Sequence, residues 1–118
     1  MTLGARTDRV GEEFREILAE EIPKLKDPRV GFVTVVAVRV SPDLRHAWVA
    51  YTALGDAKAK AGTRAALRSA TAHLRAVIGR QVRLKYLPEL EFEEDTTYEQ
   101  GRRIDELLAG LHPAEDER

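Results

Sequence analysis

The chain has no cysteine and only one methionine and one tryptophan in 118 residues. Without cysteine there can be no disulfide, thiolate metal site or thiol nucleophile. Long apolar runs are also missing, since the best candidate, residues 32–38, is far shorter than the roughly 20 residues of a membrane span. The first residues lack the apolar stretch of a signal peptide. We therefore expect a single-domain protein of the cytoplasm.

Sequence motifs of catalysis are absent as well. There is no G-x-S-x-G, no P-loop and no G-x-G-x-x-G. His46, His73 and His112 are isolated in the sequence and lack metal-ligand spacing, so we expect neither a metal nor another cofactor. An acid–base or Mg²⁺ site in residues 89–95 is the best enzymatic alternative. Strand alternation instead favours a solvated carboxylate face. The carboxylates in question are Glu89, Glu91, Glu93, Glu94 and Asp95.

Acidic charge is missing from one whole segment. The chain has 19 Lys+Arg against 20 Asp+Glu, yet residues 61–85 hold six cations and no anion, and residues 86–118 hold three cations and eleven anions. Such a basic run predicts a surface that binds a polyanion, although a merely solvated face is the alternative. Arginine suits bidentate phosphate contacts better than lysine. The six cations are Arg64, Arg68, Arg75, Arg80, Arg83 and Lys85.

The first half of the chain reads as a helix followed by a hairpin. Apolar residues at helical spacing predict an amphipathic helix over residues 10–25, which Pro23 should end. Residues 31–40 are almost continuously apolar and β-branched, which predicts a central strand. The turn Ser41-Pro42-Asp43 and a second strand over residues 45–54 complete an antiparallel hairpin. Trp48 and Tyr51 could stack on a base, but we interpret both as core residues.

The second half predicts a helical crossover and a third strand. Residues 60–79 form an Ala- and Arg-rich helix with Gly79 as its C-cap. If that helix is straight, Arg64, Arg68 and Arg75 lie within about 40° of one another. Residues 82–92 return to strand character, with Pro88 at a bulge or edge. A capping box at residues 97–100 then precedes a last helix. The apolar residues of that helix are Ile104, Leu107, Leu108 and Leu111.

These elements predict an α+β, two-layer domain with helices on one face of a three-stranded sheet. The order α-β-β-α-α-β and the basic helical face resemble the type II KH arrangement, an RNA-binding fold. The chain has no G-x-x-G, the loop by which KH modules hold the nucleic-acid backbone. We place the KH-like domain at residues 1–110 and a disordered acidic tail at residues 111–118.

Four stretches resemble the ribosome-binding factor A family of bacterial small-subunit assembly factors, over residues 6–108. They are DRVGEEFREILAEEI (8–22), DPRVGFVTVVAVRVSPDLRHAWVAY (27–51), IGRQVRLKYLPELEF (78–92) and DTTYEQGRRIDELL (95–108). In that family an Ala-x-Gly kink between the middle helices replaces the KH loop. The matching positions are Ala70, Thr71 and Ala72, so alanine stands where the pattern has glycine. A shallower kink, or one continuous helix, is then possible.

The resemblance implies a non-enzymatic protein that binds the immature small (30S) ribosomal subunit. We expect a monomer, because the sequence shows no spare apolar face. It implies a role in late 16S rRNA processing, above all in the cold, and release with the help of an assembly GTPase. The six cations of residues 61–85 are the first candidates for RNA contact. Arg6, Arg9, Arg29 and Arg45 are second candidates, because their neighbours carry mixed charge. The alternative is a protein–protein adaptor that acts through the acidic C-terminal segment.

Overall fold

The computed structural model describes residues 5–96. Three expectations lie outside these residues: the capping box at 97–100, the last helix and the acidic tail. Within them, the element order is α1 (Ala5–Glu21), a 3₁₀ turn (Ile22–Lys24), β1 (Val33–Val40), β2 (His46–Ala53), α2 (Ala57–Ser69), α3 (Thr71–Gln81) and β3 (Glu89–Glu94). This is the predicted α-β-β-α-α-β order. The 3₁₀ turn at Pro23 also confirms that this proline ends the first helix.

The sheet has the strand order β1-β2-β3, with β1 and β2 antiparallel and β2 and β3 parallel. The prediction of a central first strand was wrong, because β1 lies at an edge. A bulge explains the misleading apolar run. The register with β2 shifts between Val35 and Ala37, so Val35 and Val38 both face the helices, opposite Tyr51 and Val49. Val36 between them stays 44% exposed.

One core joins the helices to the inner face of the sheet. Alternate residues of β2 are buried, and Tyr51 among them is 1% exposed, which confirms it as a core residue. The corresponding prediction for Trp48 was wrong. Trp48 lies on the opposite sheet face, half-buried, where its ring is 4.5 Å from that of His46. Helix residues of the core are Val10, Phe14, Ile17, Leu18, Leu67, Leu74, Val77 and Ile78.

The helical crossover is broken at Ala70, as the family pattern implies. Ala70 ends α2 and caps α3 with φ −88° and ψ 0°. The Thr71 hydroxyl donates to the Leu67 carbonyl at 3.0 Å. The break therefore forms with alanine at position 72, and a single continuous helix is ruled out.

Gly79 does not cap α3, contrary to the sequence prediction, because the helix continues to Gln81. A Cβ at position 79 would lie 2.4 Å from Leu87 Cδ2, so glycine permits the α3–β3 connection to pack closely on the helix. The third strand also starts later than predicted, at Glu89 rather than residue 82. Pro88, which has no N–H to donate, immediately precedes it.

Candidate nucleic-acid interface

Two of the predicted RNA-binding arginines lie together on α2. Thr63, Ala66 and Leu67 form the buried side of this helix, so Arg64 and Arg68, one turn apart, are exposed on the other. They line a shallow groove of about 290 Å³ between the helices and β3. We call it the α2–β3 groove, and its lining residues are Arg64, Arg68, Thr71, Leu90, Glu91 and Phe92.

Arg75 has a different environment from Arg64 and Arg68. Its Nε donates to the Pro88 carbonyl at 2.7 Å, and its second guanidinium nitrogen donates to the Leu87 carbonyl at 3.1 Å. The Glu89 carboxylate is 3.6 Å from the same nitrogen. Arg75 therefore ties α3 to the connection that leads into β3. If the crossover were one straight helix, Arg75 would lie on the same face as Arg64 and Arg68. The helix is broken at Ala70, and Arg75 has different partners from the other two arginines.

Five other predicted RNA-binding cations lie together, away from the α2–β3 groove. Two neighbouring grooves, each about 320 Å³, share Arg6, Leu44 and Leu84. One also contains Arg45 and Lys85, and the other Arg9 and Arg83. Five cations from α1, the β1–β2 turn and the α3–β3 connection thus meet against only two carboxylates, Asp43 and Glu13. We call this surface the basic end; its cations are Arg6, Arg9, Arg45, Arg83 and Lys85.

The β1–β2 turn lines the basic end, and hydrogen bonds hold its backbone in one conformation. Leu44 has φ +62°, a left-handed conformation that costs a residue with a side chain about 1–2 kcal/mol. Backbone hydrogen bonds of 2.8 Å, from Leu44 to Ser41 and from Ser41 to His46, hold it there. The Asp43 carboxylate accepts from the Ser41 hydroxyl at 2.7 Å and from the Arg45 amide at 3.1 Å. These bonds lower the pKa of Asp43 below its ordinary value.

An aromatic side chain that sequence reasoning missed completes the basic end. The Tyr86 ring is 48% exposed, and the Arg45 guanidinium carbon lies 4.2 Å from its centroid. Lys85 Nζ lies 5.6 Å from the same centroid. Both distances are in the range of cation–π contacts. The available signal was local: an aromatic residue directly follows the basic run Arg83-Leu84-Lys85.

Arg29 and Arg80 belong to neither surface. The Arg29 guanidinium forms an ion pair with Asp27, with a closest distance of 2.6 Å, and reaches the Ser69 hydroxyl at 3.4 Å. Its side-chain hydrogen bonds, together with its backbone amide, lower the pKa of Asp27 to about 2. Arg80 lies exposed in the last turn of α3.

The outer face of the sheet carries the carboxylates considered for catalysis. Glu89, Glu91 and Glu93 are exposed there, as alternation predicts, whereas Glu94 forms an ion pair with Lys60 at 3.4 Å. His46, isolated in the sequence, lies 3.3 Å from Glu91. Within residues 5–96, no group of three or more His, Asp or Glu side chains could hold a metal ion. In the same residues, no helix is long and apolar enough to cross a membrane.

The fold and its basic surfaces define a two-layer α+β domain in the type II KH order, with one group of cations on α2 and another around the α3–β3 connection. A family model described as ribosome-binding factor A matches residues 6–108. The chain belongs to the ribosome-binding factor A family.

Individual relatives agree with that assignment. The chain is 46% identical over 104 residues to ribosome-binding factor A of Geobacter sulfurreducens, covering 87% of this chain and 88% of the relative. It is 36% identical to the crystal structure of ribosome-binding factor A from Thermus thermophilus, with a TM-score of 0.67, covering 75% and 94% of the two chains. A homology model of the Thermus thermophilus protein, fitted into a cryo-electron-microscopy map of its complex with 30S, is also 36% identical. Its TM-score is 0.65, and 76% of this chain and 96% of that one are covered.

Proposed function

We propose that this protein is a non-enzymatic assembly factor that binds the immature small ribosomal subunit and promotes late maturation of 16S rRNA, especially in the cold. Family membership supports a ribosome-binding role. The fitted complex with 30S concerns the Thermus thermophilus relative, and its similarity to this chain supports the same partner here.

The observation that carries the proposal is the basic end. Its five cations come from three segments that are far apart in sequence, and only two carboxylates lie among them. Converging cations of this kind suit a phosphate backbone, which supplies most of the affinity of proteins for nucleic acid. Exposed arginines of the α2–β3 groove extend the RNA-binding surface to Arg64 and Arg68, and Arg80 adds a further exposed cation near the end of α3.

Arg75 and Arg29 have weaker support as RNA contacts. Arg75 donates to two backbone carbonyls and Arg29 is paired with Asp27, so an RNA phosphate must compete with partners already in place. We therefore assign Arg75 mainly to the fold. Arg29 stays a secondary candidate.

Further parts of the proposal concern the location, release and oligomeric state of the protein. A factor that acts on assembling subunits works in the cytoplasm, leaves before translation and needs no catalytic group of its own. We propose that it acts as a monomer and that an assembly GTPase promotes its release. The KH-like domain, residues 1–110, carries the binding.

Co-sedimentation with purified ribosomal particles tests the proposal. The protein should pellet with free small subunits, and not with large subunits or complete ribosomes, at low and at moderate salt. Equal binding to all particles would reduce the basic surfaces to a nonspecific polyanion patch. Binding insensitive to salt would favour the protein–protein adaptor instead, because phosphate contacts weaken steeply as the salt concentration rises.

A further inference from the structure

The groove beside Tyr86 combines an aromatic ring with converging cations. Tyr86 is half-exposed, and the Arg45 guanidinium lies over its ring. Arg6 and Lys85 line the same groove. Every nucleobase has a π-face that can stack on an aromatic ring or on an arginine plane, whereas phosphates seek the cations.

The opposite wall of the groove is fixed before any ligand binds. Leu44 is held in its left-handed conformation by the hydrogen bonds of the β1–β2 turn. Non-glycine residues persist in such conformations where the surrounding structure enforces them, and they cluster at ligand-binding sites. Asp43 lies on this wall, where its ionised carboxylate can accept a hydrogen bond from the amino group of a base.

We propose that this groove binds one unstacked nucleotide of single-stranded RNA. The base stacks beside Tyr86 and Arg45, and the adjacent phosphates contact Arg6 and Lys85. The groove, at about 320 Å³, suits a single nucleotide. A duplex fits this chemistry poorly, because its bases are already stacked within the helix. The inference rests on the proposed function. It adds that the RNA is single-stranded and unstacked where it meets the groove beside Tyr86.

The test compares variants of the full chain on short RNAs. Tyr86→Leu removes the aromatic face, Tyr86→Phe keeps it, and Phe32→Leu removes an aromatic that is 79% exposed at the opposite end of the hairpin. Fluorescence anisotropy measures the affinity of each for a labelled single-stranded octanucleotide and for a duplex of the same sequence. AMP is added as a competitor to separate binding of a free nucleotide from binding within a strand.

Wild type should prefer the single strand. Tyr86→Leu should weaken that binding about ten-fold or more, because base–aromatic stacking contributes strongly to affinity. Tyr86→Phe and Phe32→Leu should bind within about two-fold of wild type. A photo-crosslink from 5-iodouridine in the strand should map to Tyr86.

Two results overturn the inference: equal affinity of Tyr86→Leu and wild type, or equal affinity of wild type for strand and duplex. Displacement of the strand by AMP at a similar concentration would identify a site for free nucleotides and would also overturn it. Co-sedimentation of wild type with small subunits is measured in parallel. If it persists while the inference fails, the proposed function stands. If wild type fails to bind small subunits, the proposed function is lost.

Discussion

Gly11 marks a point of close contact between α1 and the sheet. A Cβ at this position would lie 2.5 Å from the carbonyl oxygen of Val38, an atom of the β1 backbone. Alanine normally stabilises a helix interior by about 1 kcal/mol relative to glycine. Here the extra methyl group must push α1 away from β1, and such overpacking costs about 1–3 kcal/mol. Since a backbone oxygen cannot rotate aside, we expect this cost to exceed the gain, so that Gly11→Ala lowers the free energy of unfolding by up to about 2 kcal/mol.

Gly62 in α2 provides the matched control. A Cβ there would meet the Arg29 Cβ at 3.6 Å, an ordinary van der Waals distance. Gly62→Ala should therefore stabilise the protein by about 0.4–1 kcal/mol. Equilibrium urea unfolding, followed by circular dichroism, gives both values, and melting temperatures should shift by roughly 4–8 °C per kcal/mol. If Gly11→Ala proved as stable as Gly62→Ala, the close packing of α1 on β1 would be refuted.

Two further expectations concern side chains that are tied into the fold. Arg75→Met removes the donor to the Leu87 and Pro88 carbonyls, so it should lower the free energy of unfolding by about 1.5–3 kcal/mol, whereas Arg68→Met should change it by less than about 0.5 kcal/mol. Asp27 has a folded pKa of about 2, below its ordinary 3.8, so its contribution is present above pH 3.8 and is lost as the pH falls toward 2. Asp27→Asn should therefore lose less stability than wild type as the pH falls from 3.8 toward 2. The midpoint of urea unfolding, measured against pH, gives this comparison.

Each of these expectations has a contrary outcome. Equal stability of Arg75→Met and Arg68→Met would mean that the hydrogen bonds of Arg75 contribute nothing to the fold, and Arg75 would return as a first candidate for RNA contact. If the urea midpoint of Asp27→Asn fell with pH as steeply as that of wild type, the loss of stability at low pH would come from other carboxylates.

Local pattern was sufficient to predict most of the fold. Helical periodicity identified α1 and its buried face, and turn chemistry identified the hairpin. Two of the errors, the position of β1 in the sheet and the burial of Trp48, arose because the sequence does not show how elements are placed in three dimensions. An inserted residue at Val36 made an edge strand look continuously buried. Strand alternation correctly placed Trp48 and Tyr51 on opposite faces of the sheet. Which of the two faces is buried depends on where α1 and α3 pack, and the sequence does not show this.

The candidate site was predicted less completely than the fold. A contiguous basic run suggested one surface, but the break at Ala70 and the inward bonding of Arg75 divide it into two. Arg83 and Lys85 join Arg45 from the β1–β2 turn, a convergence created by the parallel return of β3 beside β2. Mixed charge around Arg45 in the sequence had made it a second candidate.

The most direct test of the RNA-binding account is the salt dependence of binding to purified small subunits. The log of the dissociation constant is measured against the log of salt concentration for three double variants and wild type. Arg64→Gln/Arg68→Gln alters the α2–β3 groove, and Arg83→Gln/Lys85→Gln alters the basic end. The control, Arg15→Gln/Lys24→Gln, removes two cations that pair with glutamates of α1.

We expect each of the first two variants to bind more weakly than wild type. The magnitude of the slope should fall by about 0.7–0.9 for each phosphate contact that is removed. The control should keep the slope of wild type. If both surface variants kept the wild-type slope as well, the basic surfaces would not contact ribosomal RNA, and the central claim would be wrong.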